Sequence, residues 1–215
     1  MPVSGPSYPV NLLLTGRRCL VVGGGHVAAR KIEGLLDAGA VVHVVAPEID
    51  PSVTALGDEG RSVSWEARPY RSGEVEGYRL VITATDDAAT NRAVFEDGER
   101  LGVWVNSADD PANCSFTLPS VVRQGSLLVT FSTGGHSPAV STWLRRRFGE
   151  EFGPEYGTLI DLLASERERI RAAGRPTEGL DWQGALDSGM LDLIREGDLA
   201  EAKERLQACL SSSSD

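Results

Sequence analysis

An α/β fold is predicted by three observations. Short β-branched runs alternate with helix-like stretches from Arg18 onward, a glycine-rich turn directly follows the first run, and the C-terminal third repeats apolar residues at helical spacing among charges. The expected architecture is a doubly wound parallel sheet, then a small central α+β region, then a helical C-terminal domain. Boundaries are expected at residues 1–112, 113–150 and 151–215.

Residues 19–22 read as the first strand, residues 26–38 as its helix closed by Gly39, and residues 41–46 as the second strand, with Pro47 just beyond. This unit has the length of a βαβ crossover. Residues 62–67, 79–85 and 103–106 supply further strands, and a helix at 88–101 separates the last two. Residues 115–118 and 127–132 read as strands linked by a turn at Gln124-Gly125, and residues 137–148 as a helix. Further helices are expected at 154–173, 180–194 and 199–210, ahead of a low-complexity tail at 211–214 that should fray.

A length of 215 residues and 23.0 kDa suits one large domain, or one with appendages, and is too short for two full catalytic domains. No apolar run approaches the roughly 18 residues of a membrane span. Nothing near Met1 directs export, so the cytoplasm is expected. The cysteines, Cys19, Cys114 and Cys209, form no CxxC pair and read as reduced packing residues. A net charge of -10 argues against broad binding to nucleic acid or to anionic membranes. An anionic ligand must therefore be met locally, by groups such as Arg17-Arg18, Arg30-Lys31, Arg123 or Arg145-Arg146-Arg147, although each taken alone reads better as solvated surface.

The turn Gly23-Gly24-Gly25-His26-Val27-Ala28 fits GxGxxG/A after a strand and before a helix, the context of a Rossmann-type dinucleotide site. Gly23 permits the tight turn, Gly25 lets the backbone approach a pyrophosphate, Ala28 allows close helix packing, and free amides at the helix start attract the anion. A glycine turn without a ligand is the alternative. Glu48, at the end of the second strand, is placed for the ribose hydroxyls, and no Arg sits beside it to receive a 2'-phosphate, which favours NAD over NADP. Thr85, in Thr83-Ala84-Thr85-Asp86-Asp87, lies where a strand end meets the crevice; Thr85 or Asp86 equally suits a helix cap. Asp109, in Asn106-Ser107-Ala108-Asp109-Asp110-Pro111, is the candidate proton-transfer group, with turn formation as the competing reading. The loop Ser132-Thr133-Gly134-Gly135-His136-Ser137-Pro138 either binds an anion or makes a turn. His26, His43 and His136 share no ligand spacing, so no metal site is expected.

Together these motifs resemble the precorrin-2 dehydrogenase and sirohydrochlorin ferrochelatase family, whose module also forms the N-terminal part of siroheme synthase. The resemblance covers residues 8–157. It rests on Pro9 to Leu12, the run from Cys19 to Lys31, Ala84 to Asp87 with Asn91, Val105-Asn106 with Asp109 and Pro111, Ser115 to Ser120, and Ser132 to Pro138. It implies a homodimer with an NAD-binding Rossmann domain, a central dimerisation region and a helical C-terminal domain that helps enclose a tetrapyrrole. The family's dinucleotide contacts fall at His26, Val27, Pro47 and Glu48, and its acid-base aspartate at Asp109. Thr133 stands where some siroheme synthases have a serine described as a phosphorylation site.

The implied reaction removes a hydride to NAD and a proton from precorrin-2, giving sirohydrochlorin. The family's second activity inserts Fe(II), with Co(II) as an alternative metal substrate, and the sequence does not reveal whether it is present. Precorrin-2 carries eight carboxylates, for which Arg123, Gly134 and Gly135 are the candidate contacts. An NAD-binding regulatory module and a dehydrogenase of another small substrate are the rival readings.

Overall fold

The computed structural model describes residues 6–58, 60–108 and 110–212. They form two compact units, one of residues up to Leu118 with Gly134–His136, the other of Pro119–Thr133 and residues 137 onward.

The first unit is a five-stranded parallel sheet in the order β3-β2-β1-β4-β5, with β1 at Arg18–Val22, β2 at Val41–Ala46, β3 at Val63–Ala67, β4 at Leu80–Thr83 and β5 at Trp104–Ser107. The helices are α1 at His26–Asp37, α2 at Pro51–Asp58 and α3 at Ala88–Leu101. Side chains alternate across a strand, so β1 feeds both faces. Cys19 and Val21, with Val42, Val44, Leu80 and Ile82, pack against Ala28 and Ile32 of α1. Leu20 and Val22, with Val45, Val81 and Val105, pack against Val94 of α3. This two-sided burial explains why the central strands are continuous β-branched runs. It also pushes the Cys19 thiol up to about 11, consistent with a packing residue.

Gly39 ends the α1 segment with φ +76°, as expected. The helix α2 was not foreseen. Residues 115–118, expected as a strand, are not one: Ser115 binds the edge of β5 through its own groups, its N–H donating to the Val105 carbonyl at 2.8 Å and its Oγ accepting the Val105 N–H at 2.7 Å. Phe116 packs against the α1-side core instead of joining a ladder.

In the second unit β6, Ser120–Gln124, pairs antiparallel with β7, Leu127–Phe131. The turn is Gly125-Ser126, one residue beyond the expected Gln124-Gly125, and Gly125 takes φ +55° there. Five helices follow: α4 at Pro138–Glu151, α5 at Glu155–Ala172, α6 at Trp182–Asp187, α7 at Met190–Glu196 and α8 at Leu199–Ser212. The hairpin meets α5 closely, since a β-carbon on Gly157 would stand 3.2 Å from the Gln124 carbonyl oxygen. Leu159, Ile170, Met190, Ile194 and Leu206 build the helical core. The stretch 180–194, expected as one helix, is broken at Ser188-Gly189, where Gly189 has φ +87°. The α8 helix runs through Ser211, expected to fray, whose hydroxyl donates to the Gln207 carbonyl; Ser213 and Ser214 lie outside the described residues.

Candidate functional site

The strand order reverses between β1 and β4, and ligands of such sheets lie outside the strand carboxyl ends at that point. The three glycines after β1 occupy it. Gly23 has φ +114°, and a β-carbon there would stand 2.2 Å from the Ala84 carbonyl oxygen and 3.2 Å from Thr85 Cγ2. Its N–H donates to the Val45 carbonyl at 3.0 Å. Gly24 is as crowded, with its β-carbon position 2.2 Å from the Glu48 carbonyl oxygen, and its own carbonyl accepts the Asp50 N–H at 2.7 Å. Gly25 differs. Its φ of -77° suits other residues, and no atom lies within 4 Å of its β-carbon position. Protein packing demands Gly23 and Gly24, whereas nothing in the packing around Gly25 requires a glycine.

Helix α1 begins there without a side-chain cap and without an acidic residue in its first turn. Every other α-helix start among the described residues is compensated. Asp50, Asp87, Ser137, Asp181 and Asp198 accept N–H bonds at α2, α3, α4, α6 and α8. Helices α5 and α7 carry Glu155 and Asp192 in their first turns. The first turn of α1, with His26 exposed and Val27 half-buried, thus has neither a side-chain cap nor an acidic residue to offset its free amides, the arrangement that suits an anion.

Pro47 and Glu48 follow β2 and are exposed. The Arg68 N–H donates to the Ala46 carbonyl, so this guanidinium-bearing residue lies at the same strand ends. Its side chain is already engaged, 2.6 Å from Glu66 and 2.8 Å from Glu74.

Thr85 adjoins Gly23 and is tied to α3. Its hydroxyl donates to Asn91 Oδ1 at 2.8 Å, and Asn91 Nδ2 donates to the Thr85 carbonyl at 2.8 Å. The cap of α3 is Asp87, not Thr85 or Asp86, because the Thr85 hydroxyl accepts the Asp87 N–H and turns the chain before the helix. Bonds from Thr90 and from the Ala89 N–H hold the Asp87 carboxyl below the usual carboxylate range.

Asp109 lies outside the described residues. On either side of it, the Ala108 N–H donates to the Thr83 carbonyl at 2.8 Å, and the Asp110 carboxylate accepts from the Ala112 N–H at 3.2 Å and Asn113 Nδ2 at 2.6 Å. Asp110 thereby caps the 3-10 turn Pro111–Asn113. The Cys114 sulfur accepts the Ser107 N–H at 3.2 Å and lies 3.3 Å from both the Ser107 and Asp110 carbonyl oxygens, fastening this segment; burial pushes its thiol pKa up. The Ser107 hydroxyl is buried without a hydrogen-bond partner among the described residues. Spacing gave no hint of these roles for Gly24, Asp110 and Cys114, because each depends on a backbone group brought in by folding.

Arg123 is exposed on β6 of the second unit, whereas Gly134 and Gly135, at φ +58° and +79°, belong to the first. Thr133 Oγ1 accepts the Ser137 N–H at 3.1 Å and stands 3.4 Å from the Ser141 hydroxyl, so it helps to hold the start of α4. Among the described residues no three His, Cys, Asp or Glu side chains are grouped to hold a metal ion.

A family model described as "Putative NAD(P)-binding" matches residues 10–120. The chain is 36% identical over 210 residues to the siroheme synthase of Nitrosomonas eutropha, covering 97% of this chain and 44% of the relative. With the siroheme synthase of Methylococcus capsulatus identity is 38% over 200 residues, covering 92% of this chain and 42% of the relative. The chain thus spans less than half the length of these curated relatives. A solved structure, SirC, precorrin-2 dehydrogenase, aligns with a TM-score of 0.70 and 26% identity over 94% of this chain and 98% of that one. The open helix start, the crowded glycines and these likenesses converge: the chain belongs to the NAD(P)-binding family of that model, and to the precorrin-2 dehydrogenase and siroheme synthase family that its motifs resemble.

Proposed function

We propose that this chain oxidises precorrin-2 to sirohydrochlorin with NAD, as a step of siroheme biosynthesis. The observation that carries the reading is the uncompensated start of α1 beside Gly25, the one glycine of its turn that no protein atom requires. Gly23 and Gly25, with the first-turn amides of His26 and Val27, would hold the pyrophosphate. Pro47 and Glu48 would hold the ribose, and Thr85 would border the nicotinamide end. Open space at Gly25 and the unpartnered Ser107 hydroxyl are the features of these residues that fit such a group. When bound, NAD supplies the hydride acceptor. Glu48 favours NAD over NADP, and the Arg68 guanidinium, engaged by two glutamates, is not free to receive a 2'-phosphate.

Asp109 is assigned as the base that takes the proton lost alongside the hydride. Its rival role, forming the turn before Pro111, is performed by Asp110. Arg123, Gly134 and Gly135 are assigned to the precorrin-2 carboxylates. The nucleotide function is assigned to residues 1–112, dimerisation to 113–150 and substrate enclosure to 151–215. A homodimer is supported by three exposed apolar side chains of the second unit, Val121, Val140 and Trp143, each 40–48% accessible. A cytoplasmic setting accords with the reduced thiols of Cys19 and Cys114.

The deciding assay follows NADH formation from precorrin-2, with NADP in a parallel arm. Asp109→Ala should abolish turnover while circular dichroism and melting stay unchanged; near-normal turnover would refute the assignment of the base. NAD binding without turnover in the wild-type protein would favour the regulatory-module reading. Anaerobic Fe(II) or Co(II) uptake by the sirohydrochlorin formed tests the ferrochelatase activity.

A further inference from the structure

The amino ends of the parallel strands carry a second basic feature. Arg17, Arg18, Tyr78 and Arg79, with Gly16, Gly77 and Gly102, line a hollow of about 430 Å³. Its lining residues include three arginines and no acidic residue. Arg18 opens β1 and Arg79 immediately precedes the neighbouring β4, with Cys19 beside Leu80 in the register and the Arg79 N–H donating to the Arg18 carbonyl at 2.8 Å. Like charges side by side cost stability. Several other arginines of this acidic chain are paired with carboxylates, among them Arg68, Arg92, Arg100 and Arg169. Arg17, Arg18 and Arg79 have no such partner among the described residues.

The hollow is also braced. The Arg18 guanidinium lies 4.6 Å from the Tyr78 ring centroid, the Tyr78 hydroxyl meets His43 Nδ1 at 3.2 Å, and His43 Nε2 stands 3.2 Å from Glu66. A guanidinium laid on a fixed aromatic face loses less freedom on binding than one that is free in solvent. Gly16, Gly77 and Gly102 all have positive φ and no atom within 4 Å of their β-carbon positions, so the rim stays free of side chains. The volume lies in the range of small-molecule sites.

We infer that this hollow is a second anion site, which takes a small oxyanion of charge -2 or more, phosphoryl or polycarboxylate in kind. It lies a strand length, about 16 Å, from the nucleotide crevice, so its occupant is distinct from the dinucleotide. The test uses the whole chain at fixed ionic strength, with pyrophosphate and citrate as probes and chloride as the control. Phenylglyoxal labelling read by peptide mapping should show Arg17, Arg18 and Arg79 protected by a probe but not by chloride. This locates binding without a variant and separates it from pyrophosphate held at α1. Stronger protection by pyrophosphate identifies a phosphoryl ligand, and stronger protection by citrate a polycarboxylate. By calorimetry, Arg18→Gln with Arg79→Gln should weaken the better probe at least tenfold and leave NAD affinity unchanged. Equal labelling with and without probes, or unchanged probe affinity in a folded double variant, would overturn the proposal.

Discussion

Two glycine-rich turns lead into helices in this chain and look alike as sequence, yet the protein completes one helix start and leaves the other incomplete. At α4 the Ser137 hydroxyl accepts the Val140 N–H and Thr133 accepts the Ser137 N–H. At α1 no side chain caps the helix, and Gly25 faces open space. Glycine count therefore does not identify an anion site. What does is a donor set that the chain's own hydrogen bonds leave unsatisfied, beside a glycine that its packing does not require.

The sharpest break of this comparison lies within the first turn, where adjacent glycines have different causes. Gly23→Ala should cost about 3–4 kcal/mol, combining a strained φ with backbone overlap at Ala84. Melting should fall by about 10 °C. A melting point close to wild type would show that the contact between the β1 turn and the end of β4 is looser than described.

A third loop extends the comparison, since residues 70–73 are held to α3 by one buried carboxylate. Asp97 accepts from the Tyr70 hydroxyl at 2.8 Å, the Gly73 N–H at 2.6 Å and the Ser72 hydroxyl at 3.1 Å. Burial alone would raise its pKa, but the bonds from Gly73, Arg100, Tyr70 and Ser72 outweigh that and hold it at about 2. A depressed folded pKa contributes stability above the unfolded value of about 4, and that contribution is lost as pH falls towards about 2. Asp97→Ala should lower stability by about 2–3 kcal/mol at neutral pH. In acid titrations followed by circular dichroism, the gap between variant and wild type should narrow from pH 4 to pH 2; a constant gap would assign the loss to packing.

Much of the first unit is legible in the sequence, because strands buried on both faces must be continuous β-branched runs and crossovers must return through helices. The Gly23–Ala28 turn is legible for the same local reason. Residues 115–118 misled because their alternation matches a half-buried strand, while Ser115 caps an edge rather than extending it. Helix α2 was missed although Asp50-Pro51 is a cap followed by a first-turn proline, since its short span lacks apolar periodicity. The need for glycine at 24 comes from the carbonyl of Glu48, which folding supplies. Three acidic residues, Asp86, Asp87 and Asp110, all suit caps by composition, and only the hydrogen bonds at Asp87 and Asp110 settle which of them serve.

Gly25→Ala should separate two readouts. Alanine suits the backbone at φ -77°, but Gly25 is the N-cap of α1, where glycine is preferred over alanine, so the two effects oppose and stability should change by less than about 1 kcal/mol. Its methyl group enters the space assigned to the pyrophosphate, so NAD affinity, followed by fluorescence titration, should fall at least tenfold. A folded variant that binds NAD normally would sever the link between this glycine and the ligand.

Ser137→Ala supplies the complementary loss at the other helix start. Removal of the cap at α4 should cost about 1 kcal/mol, a fall in melting temperature of about 3 °C. NAD affinity should stay unchanged, because that helix start is completed by its own chain and takes no part in holding the nucleotide. A parallel fall in NAD affinity would show that the two turns act on one ligand. The contrast between a self-completed helix start and one awaiting an anion would then no longer distinguish them.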